Sequence, residues 1–145
     1  MNSTPNRPPS LLMVDDNAAL LDQFALRLMR CGFAVTAADS VASATNALER
    51  FVPDVLLLDF FLGDGTARDI LQSSAMRAHH AVGAFQPVVV WSSESDAEEV
   101  QSLKREGLVN EILDKSTDTQ ELFLTLARYV AAAEALNLTY SEERP

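Results

Sequence analysis

At 145 residues, with 48% hydrophobic and 22% charged side chains, the chain suits one soluble globular domain with a packed core, and no apolar run nears the roughly 20 residues of a membrane span. The net charge of −10, with 21 acidic residues against 11 scattered basic ones, argues against direct nucleic-acid binding, which draws on clustered Lys and Arg. The polar, Pro-rich opening MNSTPNRPPS lacks the features of a signal peptide, and the single cysteine, Cys31, excludes an intramolecular disulfide and fits a reducing cytoplasm.

Residues 1–9 read as a flexible arm. Leu11-Leu12-Met13-Val14 is a short continuous apolar run, as expected of a strand covered on both faces. Leu20, Leu21, Phe24 and Leu28 then recur at helical spacing from about Asn17 to Cys31, with Gly32 as the stop. Phe33 to Ala37 reads as a second strand. Ser40 caps a helix carrying Val41, Ala44, Leu48 and Phe51 on one face, and Pro53 ends it.

Val55-Leu56-Leu57-Leu58 is the third and most apolar strand and runs directly into Asp59. Gly63-Asp64-Gly65 turns the loop that follows, and Asp64 reads as a turn former. A helix is predicted from about Ala67 into the Met76 region. A loose stretch from His79 to Gln86 comes next, with His79-His80 read as a solvated pair.

Val88-Val89-Val90-Trp91 is the fourth strand, with Trp91 in the core, and Ser92 to Ser95 form a polar loop. A mostly polar helix spans Asp96 to Glu106, with Ala97, Val100 and Leu103 inward. Glu111 to Asp114 is a short fifth strand, followed by Lys115. Thr117 with Gln120 resembles a capping box opening a long helix through Ala135. Residues 137–145 turn polar and acidic, a tail expected to fray. Cys31 reads as a helix-end core residue.

Alternating strands and helices with buried strands give an α/β fold, a doubly wound parallel sheet with helices on both faces. No repeat and no second domain is visible, so residues 10–136 form one unit. Ligands of such sheets bind beyond the C-terminal ends of the strands. Strand one ends in Asp15-Asp16, strand three in Asp59, strand four in Ser92 and strand five in Lys115. Three carboxylates brought close together repel one another, and a hard cation such as Mg²⁺, which favours carboxylate and water oxygens, relieves that. Lys115 adds a mobile positive charge. A carboxylate such as Asp59 can act as a nucleophile that forms an aspartyl-phosphate. Mg²⁺ and Lys115 then suit the spread charge of phosphoryl transfer, and Ser92 can donate a hydrogen bond to the attached group.

VDD after the first strand, LLLDFFLGDG at the third, VVVWSS at the fourth and DKS after the fifth resemble the receiver domain of bacterial response regulators, over roughly Ser10 to Ala135. The resemblance implies a five-stranded flavodoxin-like sheet of order 2-1-3-4-5. It also implies that Asp16 binds Mg²⁺ directly, Asp15 mostly through water, and that Asp59 is both ligand and phosphoacceptor. The backbone carbonyl of Phe61 would complete the protein ligands. Ser92 would be the switch hydroxyl, with Ser93 taking that role if the strand ends later, and Lys115 the phosphate partner.

The sequence departs from the family pattern in places. Ser116 stands where a proline, often after a cis peptide, follows the lysine, so a trans bond is expected. Gly63 replaces a proline, Ala67 a glycine, and Ser93 a smaller residue. Ile112 occupies the position of the aromatic that swings inward on activation, so the implied signal takes another route or is weaker. Phe61, two residues past the phosphoacceptor, cannot orient the hydrolytic water, which implies slow autodephosphorylation.

The resulting expectation is a cytoplasmic, stand-alone receiver, not an enzyme in the turnover sense. It would be charged by a histidine kinase or phosphotransfer protein and read by a downstream protein target, with no direct nucleic-acid or membrane partner. Phe123, Leu124 and Ala127 extend apolar surface beyond the inward stripe of the last helix, which suits either a homodimer or partner through that face, or coverage by neighbouring side chains. The alternatives are a receiver-like binding module that works without phosphorylation and, more weakly, an aspartyl-nucleophile phosphohydrolase.

Overall fold

The structure, a computed structural model, describes residues 7–83 and 85–143, with side chains through Leu136. Residues 1–6 of the expected arm and 144–145 of the expected tail lie outside the described residues. In chain order the elements are β1 (Ser10–Val14), α1 (Ala18–Arg30), β2 (Ala34–Ala38), α2 (Val41–Leu48), β3 (Val55–Leu58), β4 (Phe61–Leu62), β5 (Gly65–Thr66), α3 (Ala67–Leu71), α4 (Ser74–Ala81), β6 (Val88–Ser92), α5 (Glu98–Arg105), β7 (Glu111–Asp114) and α6 (Thr119–Glu143). The main sheet has the order β2-β1-β3-β6-β7 and every pairing is parallel. Counting only its own strands, this is the expected 2-1-3-4-5. The small antiparallel hairpin β4–β5 is an addition that the sequence showed only as a turn.

The two-residue period of a strand divides the core. Leu12, Val14, Leu56, Leu58, Val88 and Val90 face one way and pack against residues of α2 to α5. Leu11, Met13, Val55, Leu57, Val89 and Trp91 face the other way, toward Leu21 and Leu28 of α1 and Leu122, Leu126 and Val130 of α6. Burial on both faces is the reason the three central strands are written as unbroken apolar runs.

Several local expectations are corrected. The helix after the hairpin is two helices: α3 stops at Gln72, and the Ser73 side chain restarts the chain by accepting from the Met76 N–H. His79 belongs to α4, not to a loop, and is buried rather than solvated. Its Nε2 lies 2.8 Å from the carbonyl of Leu48 and its Nδ1 3.2 Å from Gln86 Oε1, while Gln86 donates to the Pro53 carbonyl at 3.0 Å. His80 is exposed as expected. Cys31 is exposed, because α1 ends at Arg30 and Gly32, at φ 102°, turns the chain there.

The last helix begins beyond Thr117. Asp118 caps it, its carboxylate accepting from the Gln120 N–H at 2.8 Å and its carbonyl from the Leu122 N–H. That helix continues to Glu143, past the expected end at Ala135 and into the segment expected to fray. Its outer face leaves Leu124 and Leu136 exposed. Among the described residues no helix is long and apolar enough to cross a membrane.

Candidate functional site

Strand register brings the site together. Val14 of β1 pairs with Leu58 of β3, so the next residue on each strand, Asp15 and Asp59, meets the other at the C-terminal edge. The Asp59 N–H donates to the Val14 carbonyl at 2.8 Å and the Asp15 N–H to that of Ala38 at 3.1 Å, extending the ladder by one rung. Similarly, the Lys115 N–H donates to the Ser92 carbonyl at 3.0 Å. Asp15, Asp59 and Lys115 continue the parity of Met13, Leu57 and Leu113 and so share the α1–α6 side of the sheet.

Asp15 is buried, Asp59 half-buried and Asp16 exposed. One carboxylate oxygen from each lies within 4.8 Å of the others. The ammonium of Lys115 is 2.5 Å from Asp15 Oδ2 and 3.4 Å from Asp59 Oδ2. The second oxygens are held by the backbone: Asp15 Oδ1 accepts from the Asn17 N–H and Asp59 Oδ1 from the Phe60 N–H, each at 2.9 Å. Burial pushes the Asp59 carboxyl up to about 6. Lys115 works against that rise, Asp15 adds to it, and the Phe60 N–H opposes it. Three convergent carboxylates are the hard oxygen donors that a small divalent cation takes, and their mutual repulsion is what such a cation removes.

Ser92 is the last residue of β6 and is buried, its hydroxyl accepting from the Glu94 N–H at 3.1 Å. Ser93 is exposed in the turn beyond. Phe61 opens the hairpin, partly exposed, with its ring edge-on to Phe60 at 4.7 Å. Ile112 pairs with Val90 and packs half-buried against the aliphatic cluster under α5. No cis peptide occurs among the described residues, so Ser116 follows Lys115 through the expected trans bond.

Three residues that the sequence left in other roles brace this edge. Asp64, read as a turn former, holds α2: its carboxylate accepts from the Val41 N–H at 2.8 Å and the Ala42 N–H at 3.1 Å, and those bonds hold its pKa below the ordinary carboxyl value. Asp114 accepts from the Ser116 N–H at 2.9 Å and from the Ser95 hydroxyl at 2.8 Å, tying together the loops after β6 and β7. Trp91 lies under Lys115, with the ammonium 5.3 Å from the ring centroid.

The family model described as "Response regulator receiver domain" matches residues 11–127. The transcriptional regulatory protein DpiA of Escherichia coli K12 is 32% identical over 126 residues, covering 84% of this chain and 52% of DpiA. The alginate biosynthesis transcriptional regulatory protein AlgB of Pseudomonas putida KT2440 is 35% identical over 78 residues, 54% of this chain and 17% of AlgB. The chain therefore spans about half of DpiA and a smaller part of AlgB.

Among solved structures, a CheY-like receiver domain protein from Methanospirillum hungatei JF-1 superposes with a TM-score of 0.77 at 18% identity, covering 88% of this chain and 98% of that one. The signal receiver domain of an HD domain-containing protein from Pseudomonas fluorescens Pf-5 gives 0.79 at 20% identity, covering 94% and 96%. At such identities the likeness is one of fold.

Proposed function

The chain belongs to the response regulator receiver domain family of two-component systems, and we propose that within it Asp59 accepts a phosphoryl group from phosphohistidine on a histidine kinase or phosphotransfer protein. The observation that carries this reading is the meeting of Asp15, Asp16 and Asp59 at one sheet edge with the Lys115 ammonium against two of them.

Asp15, Asp16, Asp59 and the backbone carbonyl of Phe61 would hold Mg²⁺, which supplies positive charge for the phosphoryl oxygens. An oxygen of ionised Asp59 attacks phosphorus as the bond to the donor nitrogen breaks, and the departing imidazole keeps that electron pair. Lys115 faces Asp59 and offsets charge gathering on the transferred group. Asp15, bonded to both Lys115 and the Asn17 N–H, fixes the direction from which that ammonium approaches. Ser92, the last residue of β6, would be the hydroxyl that turns toward the attached phosphoryl group.

Phe61 offers an apolar ring where a polar side chain would orient water, which supports slow self-dephosphorylation. The readout is contact with a protein target through the surface of α5, β7 and α6, in keeping with the net charge of −10. Ile112, aliphatic and packed into the core, favours a second reading in which the fold binds its partner without phosphorylation.

Incubation with acetyl phosphate and Mg²⁺ separates the two. The first reading expects a mass gain of one phosphoryl group, stable in acid and labile in base, in the wild type and none in Asp59→Asn. A wild type that takes no label, or an Asp59→Asn variant that does, overturns it.

A further inference from the structure

We propose that Trp91 is a positioning residue for Lys115: the face of its indole holds the ammonium against Asp15 and Asp59. The kinetic part of this inference rests on the phosphotransfer reading above, while the contact itself can be tested without it.

The placement follows from register. Trp91 pairs with Leu113 across the parallel β6–β7 ladder, so the two side chains share a face, and Lys115, two residues on, returns to that face. Its ammonium stands 5.3 Å from the indole centroid, within the roughly 6 Å at which a cation is drawn to the negative face of a ring. The two carboxylates attract that ammonium from elsewhere, Asp15 at 2.5 Å and Asp59 at 3.4 Å. A lysine on a flexible four-carbon stem can satisfy one carboxylate in many poses; an aromatic wall reduces them.

The ring is itself fixed. Phe24 of α1 meets it edge-on at 4.9 Å, and Phe123 of α6 lies 6.4 Å from Phe24. Trp91 is only 4% exposed, so water screens the attraction weakly. Its buried Nε1 has no hydrogen-bond partner among the described residues. An unpaired indole N–H is a cost that a phenylalanine in this slot would not carry. What the indole offers in its place is the strongest cation-binding face of the aromatic side chains.

Trp91 is the one tryptophan of the chain, so biosynthetic incorporation of fluorotryptophans alters this site alone. Successive fluorines withdraw π-electron density at nearly constant volume, leaving packing in place while weakening the hold on a cation. Two readouts apply to the full chain. The ε-methylene protons of Lys115, on the carbon one bond from the nitrogen over the ring, are expected upfield of free-lysine values in NMR spectra of the wild type and are expected to move back toward them with tetrafluorotryptophan. Labelling by acetyl phosphate with Mg²⁺ slows stepwise with the number of fluorines, reaching about two- to fivefold.

Trp91→Leu slows labelling at least as much, and Trp91→Phe, which keeps an aromatic face, restores part of the rate; the near-isosteric fluorinated series is what separates this role from space filling. Lys115 protons without ring displacement, or labelling rates that stay flat across the fluorinated series, overturn the proposal. If the wild type takes no label, the phosphotransfer reading fails by itself. The NMR displacement and its loss on fluorination then decide whether Trp91 positions Lys115.

Discussion

Lys115 is bonded more closely to Asp15 than it approaches Asp59, at 2.5 Å against 3.4 Å. A divalent cation entering the acidic edge therefore competes with an ammonium already in place for one of its carboxylates. Lys115→Met is expected to tighten Mg²⁺ binding by about one order of magnitude, the scale of one nearby charge in a partly screened site, while slowing labelling by acetyl phosphate. Titration of Trp91 fluorescence with Mg²⁺ measures the first effect and intact mass against time the second. A weaker Mg²⁺ affinity in the variant contradicts the competition.

Burial raises the Asp59 carboxyl from its ordinary 3.8 to about 6. The folded state thus holds this proton more tightly than the unfolded chain, and the cost of the buried charge develops as pH rises from about 4 to about 6. Full conversion of that shift gives about 3 kcal/mol; with the partial solvent access of Asp59, about 1 kcal/mol is the reasonable expectation. Without Mg²⁺, Asp59→Asn should be more stable than the wild type by that amount at pH 7.5, and the two should converge toward pH 4. Urea unfolding at both pH values checks the sign.

The Asp64 carboxylate closes the first turn of α2 from a hairpin 23 residues further along the chain. Because those N–H bonds depress its folded-state pKa below 3.8, its contribution is complete above that value and lost as pH falls through the depressed pKa. Asp64→Ala should lower the urea midpoint at pH 7, with Asp64→Asn retaining part of the difference through its remaining acceptor. The gap from the wild type should narrow in strong acid. A gap independent of pH would assign the effect to something other than this cap.

His79 and His80 are neighbours with opposite surroundings. Removing the buried ring strands the Leu48 carbonyl and Gln86, so His79→Ala should cost about 2 kcal/mol in urea unfolding. His80→Ala, at the surface, should stay within about 0.5 kcal/mol. Equal effects would contradict the packing described for α4.

Phe61→Asn puts a group able to orient water two residues from Asp59. The lifetime of radiolabelled phospho-protein should shorten severalfold relative to the wild type. A wild-type half-life of seconds would show that the apolar ring does not retard hydrolysis.

The sheet was legible because strands covered on both faces need unbroken apolar runs, and Leu11–Val14, Val55–Leu58 and Val88–Trp91 have no other economical reading. The acidic edge was legible for a related reason: Asp15, Asp59 and Ser92 each interrupt such a run at its C-terminal end, and Lys115 directly follows the short fifth strand. What the sequence hid depends on distant partners. His79 meets Leu48 across 31 positions and Gln86 meets Pro53 across 33, so a local reading saw only a polar pair. The break at Gln72 and Ser73 was masked because Ile70, Leu71, Ala75 and Met76 keep apolar spacing through it. Cys31 follows Leu28 at helical spacing, but the helix has ended there and the periodicity no longer says which way it faces. Trp91 was read as core, correctly; that its face also meets Lys115 follows from the β6–β7 register, which no local pattern encodes.

The Asp114 carboxylate makes one rigid corner out of two loops. With one oxygen on the Ser116 N–H and the other on the Ser95 hydroxyl, the segment leaving Ser92 is strapped to the segment leaving Lys115. Each of the two bonds lies just past a strand end, so the hydroxyl and the ammonium stand on a joined support rather than on two separate fingers.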